Sequence, residues 1–112
     1  MESTIYHNPR CGTSRNVMEI LKENNSCITV IEYLINPLSI EEIKELLKKL
    51  NIDSEGLMRK KQDEYSLITP TMSEEEKIKI IHENPILIER PIVITPKGAK
   101  ICRPKEVVYD LI

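Results

Sequence analysis

The stretch Ser3-Thr4-Ile5-Tyr6-His7-Asn8-Pro9-Arg10-Cys11-Gly12-Thr13-Ser14-Arg15-Asn16 decides how the chain is read. Residues 3–7 carry the β-branched and aromatic side chains of a short strand. The polar stretch Asn8 to Gly12, with its Pro and Gly, breaks that strand. Val17, Ile20 and Leu21 then fall on one face at helical spacing, so a helix follows, N-capped by Thr13 or Ser14. A cysteine between a strand end and a helix start lies where unpaired backbone N–H groups and the positive helix end converge. These groups stabilise a thiolate and lower its pKa. With the Thr13 and Ser14 hydroxyls they can also hold an oxyanion beside the sulfur. Nucleophile and anion site thus come from one local structure.

Outward from this loop, residues 27–33 are rich in β-branched side chains and predict a second, buried strand. Ser39 and Glu42 form a capping box before the stripe Ile40, Ile43, Leu47 and Leu50 of a second helix. Ser73 and Glu76 repeat the signature before Ile78 and Ile81, and Asn84-Pro85 ends that helix. Residues 53–60 predict one short helical piece between the two. Ile92–Thr95 and Ala99–Cys102 read as strands joined by Thr95-Pro96-Lys97-Gly98, a type I turn. A short helix over Lys105–Leu111 follows. The order β-α-β-α-α-α-β-β-α predicts an α/β fold whose mixed four-stranded sheet has helices on both faces.

The 112 residues fit one domain, and folding should bury roughly two thirds of the unfolded chain's surface. Sixteen Lys and Arg against eighteen Asp and Glu give a net charge of −2, which argues against a general binder of nucleic acid or membrane surfaces. Uncharged runs fall well short of the ~18 residues a bilayer span needs. Met1-Glu2-Ser3 has neither the basic nor the apolar part of a signal peptide. Cys11, Cys27 and Cys102 are too few and too scattered for a disulfide framework or a metal site. The expectation is a cytoplasmic protein whose functional cysteine is catalytic or redox-active.

The stretch Ile5 to Asn16 resembles the active-site loop of the glutaredoxin-linked arsenate reductases. The likeness continues in Leu57-Met58-Arg59-Lys60, in Pro85-Ile86-Leu87-Ile88-Glu89-Arg90-Pro91-Ile92-Val93, and in Cys102-Arg103-Pro104-Lys105-Glu106-Val107-Val108. It covers nearly the whole chain in the family's order. The resemblance implies a thioredoxin-like core with a helical insertion between strands 2 and 3, here about residues 39–84 of a single domain, 1–112. It implies that Cys11 attacks arsenate, that Arg59, Arg90 and Arg103 bind the oxyanion, and that glutathione and glutaredoxin resolve the adduct so that arsenite leaves. No bound cofactor is implied; glutathione is a co-substrate, the protein a monomer, and the role arsenic detoxification. Pro91 matches the cis proline that thioredoxin-like folds carry beside the active thiol, so the Arg90–Pro91 bond is expected to be cis.

Physical chemistry supports the arginines independently. A planar guanidinium fork suits an oxyanion better than an ammonium does. The chain has five arginines against eleven lysines, so charge alone would have been served by lysine. Arg90 and Arg103 each precede a proline, which biases them to extended backbone at a strand end. His7 as an imidazolium would favour the thiolate, or it is a structural histidine bonded to the loop backbone. Arg15 either adds positive potential or pairs with Glu19. Cys102 reads as a buried strand residue or as a neighbour of the pocket. Cys27, Met18 and Met58 read as packing.

Two other readings compete. One is a regulatory module of this fold that binds RNA polymerase; those with a redox switch typically carry Cys-x-x-Cys in the loop, whereas the fourth place here is Ser14. A related thiol oxidoreductase with another substrate is the second, because Arg10 stands where the best-studied reductases commonly have a small residue.

Overall fold

Strand β1 (Glu2–Tyr6) lies inside a four-stranded sheet, with β2 (Cys27–Ile31) on one side and β3 (Ile92–Thr95) followed by β4 (Gly98–Ile101) on the other. The computed structural model describes residues 1–24 and 26–112. They group into two units, Met1–Asn36 with Arg90–Ile112, and Pro37–Glu89.

In the first unit β1 runs parallel to β2 (Cys27–Ile31), with Ile5 opposite Val30. A parallel pair needs a crossover. Helix α1 (Gly12–Glu23) supplies it. On its other side β1 pairs antiparallel with β3 (Ile92–Thr95), which turns back into β4 (Gly98–Ile101). Neither Pro96 nor Lys97 has a positive φ, as a type I turn requires, and Gly98 at φ 139° takes the conformation that a side chain would strain. Ile5, Val17, Leu21, Val93, Cys102 and Val108 are wholly buried, and Leu111 joins them in the core. Each such aliphatic side chain stabilises the fold by about 1.5–3 kcal/mol. A 3₁₀ segment, Lys105–Asp110, stands where the last helix was expected.

Two expectations are corrected here. Strand β2 ends at Ile31 and is largely exposed, because its place at the edge of the sheet leaves it one neighbour; Cys27 is accordingly exposed and not core. The β-branched residues set its conformation without setting its burial. Helix α1 is capped by neither Thr13 nor Ser14. Cys11 is the N-cap, in extended backbone (φ −92°, ψ 123°), and its carbonyl accepts the Arg15 N–H at 3.0 Å.

In the second unit both capping boxes form as the sequence predicts. Ser39 Oγ accepts the Glu42 N–H at 3.1 Å while Glu42 accepts the Ser39 N–H at 2.9 Å, which starts α2 (Ile40–Leu50). Ser73 and Glu76 do the same for α3 (Glu74–Glu83), whose first turn holds three acids that suit the positive helix end. Asn51 closes α2 in the left-handed region (φ 55°, ψ 47°), which asparagine tolerates better than most residues. The single helical piece expected at 53–60 is a 3₁₀ turn over Glu55–Leu57, and two further turns occupy Asp63–Leu67 and Pro85–Leu87. Segments this short carry no readable period. Met58 packs inside, as expected, and forms an antiparallel bridge with Ile88. No helix among the described residues is long and apolar enough to cross a membrane.

Candidate active site around Cys11

The loop that carries Cys11 is fixed by the end of the sheet. The His7 N–H donates to the Ile31 carbonyl at 2.8 Å, which ties the ends of β1 and β2 together. Asn8, buried, accepts the Arg10 N–H on its side-chain oxygen at 3.0 Å, and its carbonyl accepts the Cys11 N–H at 3.0 Å. This is an Asx turn. Asn8 is the loop residue to which the sequence reading gave no role, although Asn before Pro is the signal for such a turn.

Ser14 is wholly buried, and its Oγ accepts the Asn8 N–H at 3.1 Å and lies 2.6 Å from His7 Nδ1. Its hydroxyl is therefore engaged inside the loop and does not face an incoming anion, which corrects the expectation for Ser14. His7 is held in the loop as a structural residue, but its ring meets the Ser14 hydroxyl and not the loop backbone that was expected. Burial lowers its pKa; Glu32 opposes that, and Lys22 and Arg15 add to it. A neutral ring can accept the Ser14 hydroxyl proton on Nδ1, and the imidazolium expected to favour the thiolate is disfavoured. Arg15 makes no pair with Glu19: its Nη1 donates to the Pro9 carbonyl at 2.9 Å and straps the loop.

With Cys11 at the N-cap, α1 begins without a side-chain cap bond. Burial raises the Cys11 pKa, but the Ser14 N–H, the Arg103 side chain, the Arg90 charge and the Thr13 N–H together hold it below the ordinary value. Arg103 Nη1 stands 3.5 Å from Cys11 Sγ and donates to the Arg90 carbonyl at 3.2 Å. Pro91 helps to set this up. Its carbonyl accepts the Cys102 N–H at 2.9 Å, which holds the chain before Arg103 beside the chain after Arg90. The Arg90–Pro91 bond is cis, as expected, and so is Arg103–Pro104.

Cys102 belongs to the core. It is wholly buried, and burial pushes its thiol up to about 12, with Lys100 acting against that and Asp110 with it. The structure thus brings Cys11, Thr13, Arg90 and Arg103 together and places His7, Ser14, Arg15 and Pro91 as their supports. Arg59 lies in the second unit, where its N–H donates to the Leu87 carbonyl at 2.7 Å and its Nη1 to the Ile86 carbonyl at 3.4 Å.

Chemically, the first unit offers an activated thiolate with two guanidinium groups beside it. That arrangement suits sulfur attack on a tetrahedral oxyanion. Compared with known families, residues 6–111 match the ArsC family. The chain belongs to the ArsC family. Among relatives of this ArsC chain, an arsenate reductase of Yersinia enterocolitica is 45% identical over 97% of this chain and 79% of its own. The Escherichia coli K12 protein YfgD is 42% identical over 96% of this chain and 94% of its own. A solved arsenate reductase from Vibrio cholerae superposes with a TM-score of 0.94 at 34% identity, covering 100% of this chain and 98% of that one. The thioredoxin-like reading of the mixed sheet flanked by helices agrees with that superposition.

Proposed function

We propose that this chain reduces arsenate to arsenite at Cys11, with electrons from glutathione and glutaredoxin. One observation carries the reading: the thiol whose pKa is lowered has the Arg103 guanidinium 3.5 Å from its sulfur and the Arg90 charge beside it. A solvated surface thiol needs no such frame, whereas sulfur attack on an anion needs both activation and charge neutralisation. Relatives that bear the name arsenate reductase supply the identity of the anion.

The Cys11 thiolate attacks arsenic(V), and an As–S bond forms as one oxygen takes up protons and leaves as water. A glutathione thiolate then attacks the Cys11 sulfur. The new S–S bond forms as the S–As bond breaks, and the electron pair stays on arsenic, which departs as arsenite. A glutaredoxin thiolate next attacks the glutathione sulfur of the mixed disulfide and returns Cys11 as its thiolate. Two features favour an external reductant. The fourth place of the loop is Ser14, and Cys102 is buried with a pKa near 12. The reducing cytoplasm is the compartment that fits this chemistry.

Arsenate-dependent NADPH oxidation with glutathione, glutaredoxin and glutathione reductase tests the proposal, run beside a thioredoxin system. Turnover is expected in the first arm alone. Equal turnover with thioredoxin overturns the reductant, and none in either arm overturns arsenate as substrate.

A further inference from the structure

Because β1 and β2 are parallel, their C-terminal ends lie at the same end of the sheet, and the segments that follow them run side by side. A cleft of about 290 Å³ lies between these segments, lined by His7, Asn8, Pro9 and Arg10 on one side and Glu32, Leu34 and Ile35 on the other. Its second wall is folded by the Glu32 carbonyl, which accepts the N–H groups of Ile35 at 3.0 Å and Asn36 at 2.9 Å. Leu34 and Ile35 are 39% and 71% exposed, so apolar surface is left open to solvent beside the catalytic loop. The Arg10 guanidinium and the Glu32 carboxylate make no hydrogen bond or ion pair among the described residues. An apolar cleft with one unpaired cation, one unpaired anion and Cys11 as the next residue in the chain is complementary to a small zwitterionic thiol peptide.

We infer that this cleft seats glutathione, with Arg10 taking a carboxylate, Glu32 the α-ammonium, and Leu34 and Ile35 the methylene chain. The inference rests on glutathione being the reductant. It extends that reading by giving the peptide its own subsite, apart from the arginines that hold the oxyanion. Arg10, outside the matched arginines, acquires a role toward the thiol and not toward arsenate. The cleft volume is on the scale of a tripeptide, and unlike charges at its rim select for the backbone ends of the peptide, not for its thiol alone.

The test uses a reaction that does not involve arsenic. Glutathione disulfide is added to the reduced protein, the Cys11 thiolate displaces one glutathione thiolate, and mass spectrometry follows the Cys11–glutathione adduct with time. Hydroxyethyl disulfide, which is uncharged, is run in parallel. Glu32→Gln and Arg10→Gln, both substitutions of unpaired side chains, are each expected to slow the adduct with glutathione about tenfold and leave the hydroxyethyl rate unchanged. No slowing with glutathione disulfide overturns the subsite. Equal slowing with both disulfides also overturns it, since that reports a change in the thiol itself. Failure of arsenate reduction is read separately, from whether arsenate protects Cys11 against alkylation in the same preparations.

Discussion

Arg103 Nη1 lies 3.5 Å from Cys11 Sγ, although the two residues are 92 positions apart in the chain. The contact links the helix start, which makes the nucleophile, to the segment after β4, which carries the charge. Arg103→Ala should raise the Cys11 pKa, because it removes one of the groups that outweigh burial there. The pH profile of Cys11 alkylation checks this, with the midpoint in the wild type below that of an ordinary cysteine. Arg103→Lys should restore part of the shift, since it keeps the charge and loses the fork. A folded pKa below the unfolded one also means stability that is present above the unfolded value and fades as pH falls through the folded one.

Cys11→Ser should abolish turnover and leave the fold intact, because a hydroxyl is far less nucleophilic than a thiolate at neutral pH. A trapped turnover mixture should show one glutathione on the Cys11 peptide. Cys102, wholly buried, should stay unmodified until the protein unfolds. A dominant Cys11–Cys102 disulfide would move Cys102 into the mechanism.

Arg90 and Arg103 should each contribute a charge-assisted contact worth about 1.5–3 kcal/mol, so replacement by Ala should lower catalytic efficiency about ten- to a hundredfold. The losses should be less than additive in the double variant, because both groups act on one anion. Arg59→Ala belongs in the same series. A loss of the same size, confined to arsenate kinetics, would add Arg59 to the oxyanion ligands; a loss in stability alone would assign it to holding the Leu57–Leu87 turns of its own unit.

The loop and the elements around it were legible because their signals are local. Both capping boxes and the β3–β4 turn rest on residues within four positions of each other, and the β1–loop–α1 order rests on one continuous run from Ser3 to Leu21. The exposure of β2 was not legible. Composition chooses a strand, but the place of that strand in the sheet depends on pairing with β1, which no local pattern records. Ser14 shows the same limit at the site. As a residue type it suits an anion, and only the fold turns its hydroxyl to His7 and Asn8. That Arg10 and Glu32 line one cleft is likewise a product of the parallel β1–β2 pair.

The buried His7–Ser14–Asn8 cluster sets the last expectation. Burial lowers the His7 pKa below 6.5, so the folded protein resists protonation that the unfolded chain accepts. The sign follows from linkage: the unfolded state binds more protons, so stability is full above the unfolded value and falls as pH drops through it toward the folded one. The urea midpoint should therefore decline as pH falls through and below about 6.5. His7→Gln, which removes the titrating ring and keeps a hydrogen-bonding side chain, should flatten that decline even where it lowers stability at pH 7. Ser14→Ala should act differently. It leaves the buried Asn8 N–H without its acceptor and costs about 1–3 kcal/mol at pH 7. It should also keep the pH slope, because burial is the first cause of the His7 shift and remains after the hydroxyl is removed. A slope unchanged in His7→Gln would show that another group titrates, and His7 would then be a neutral support in a site whose pH response arises at Cys11.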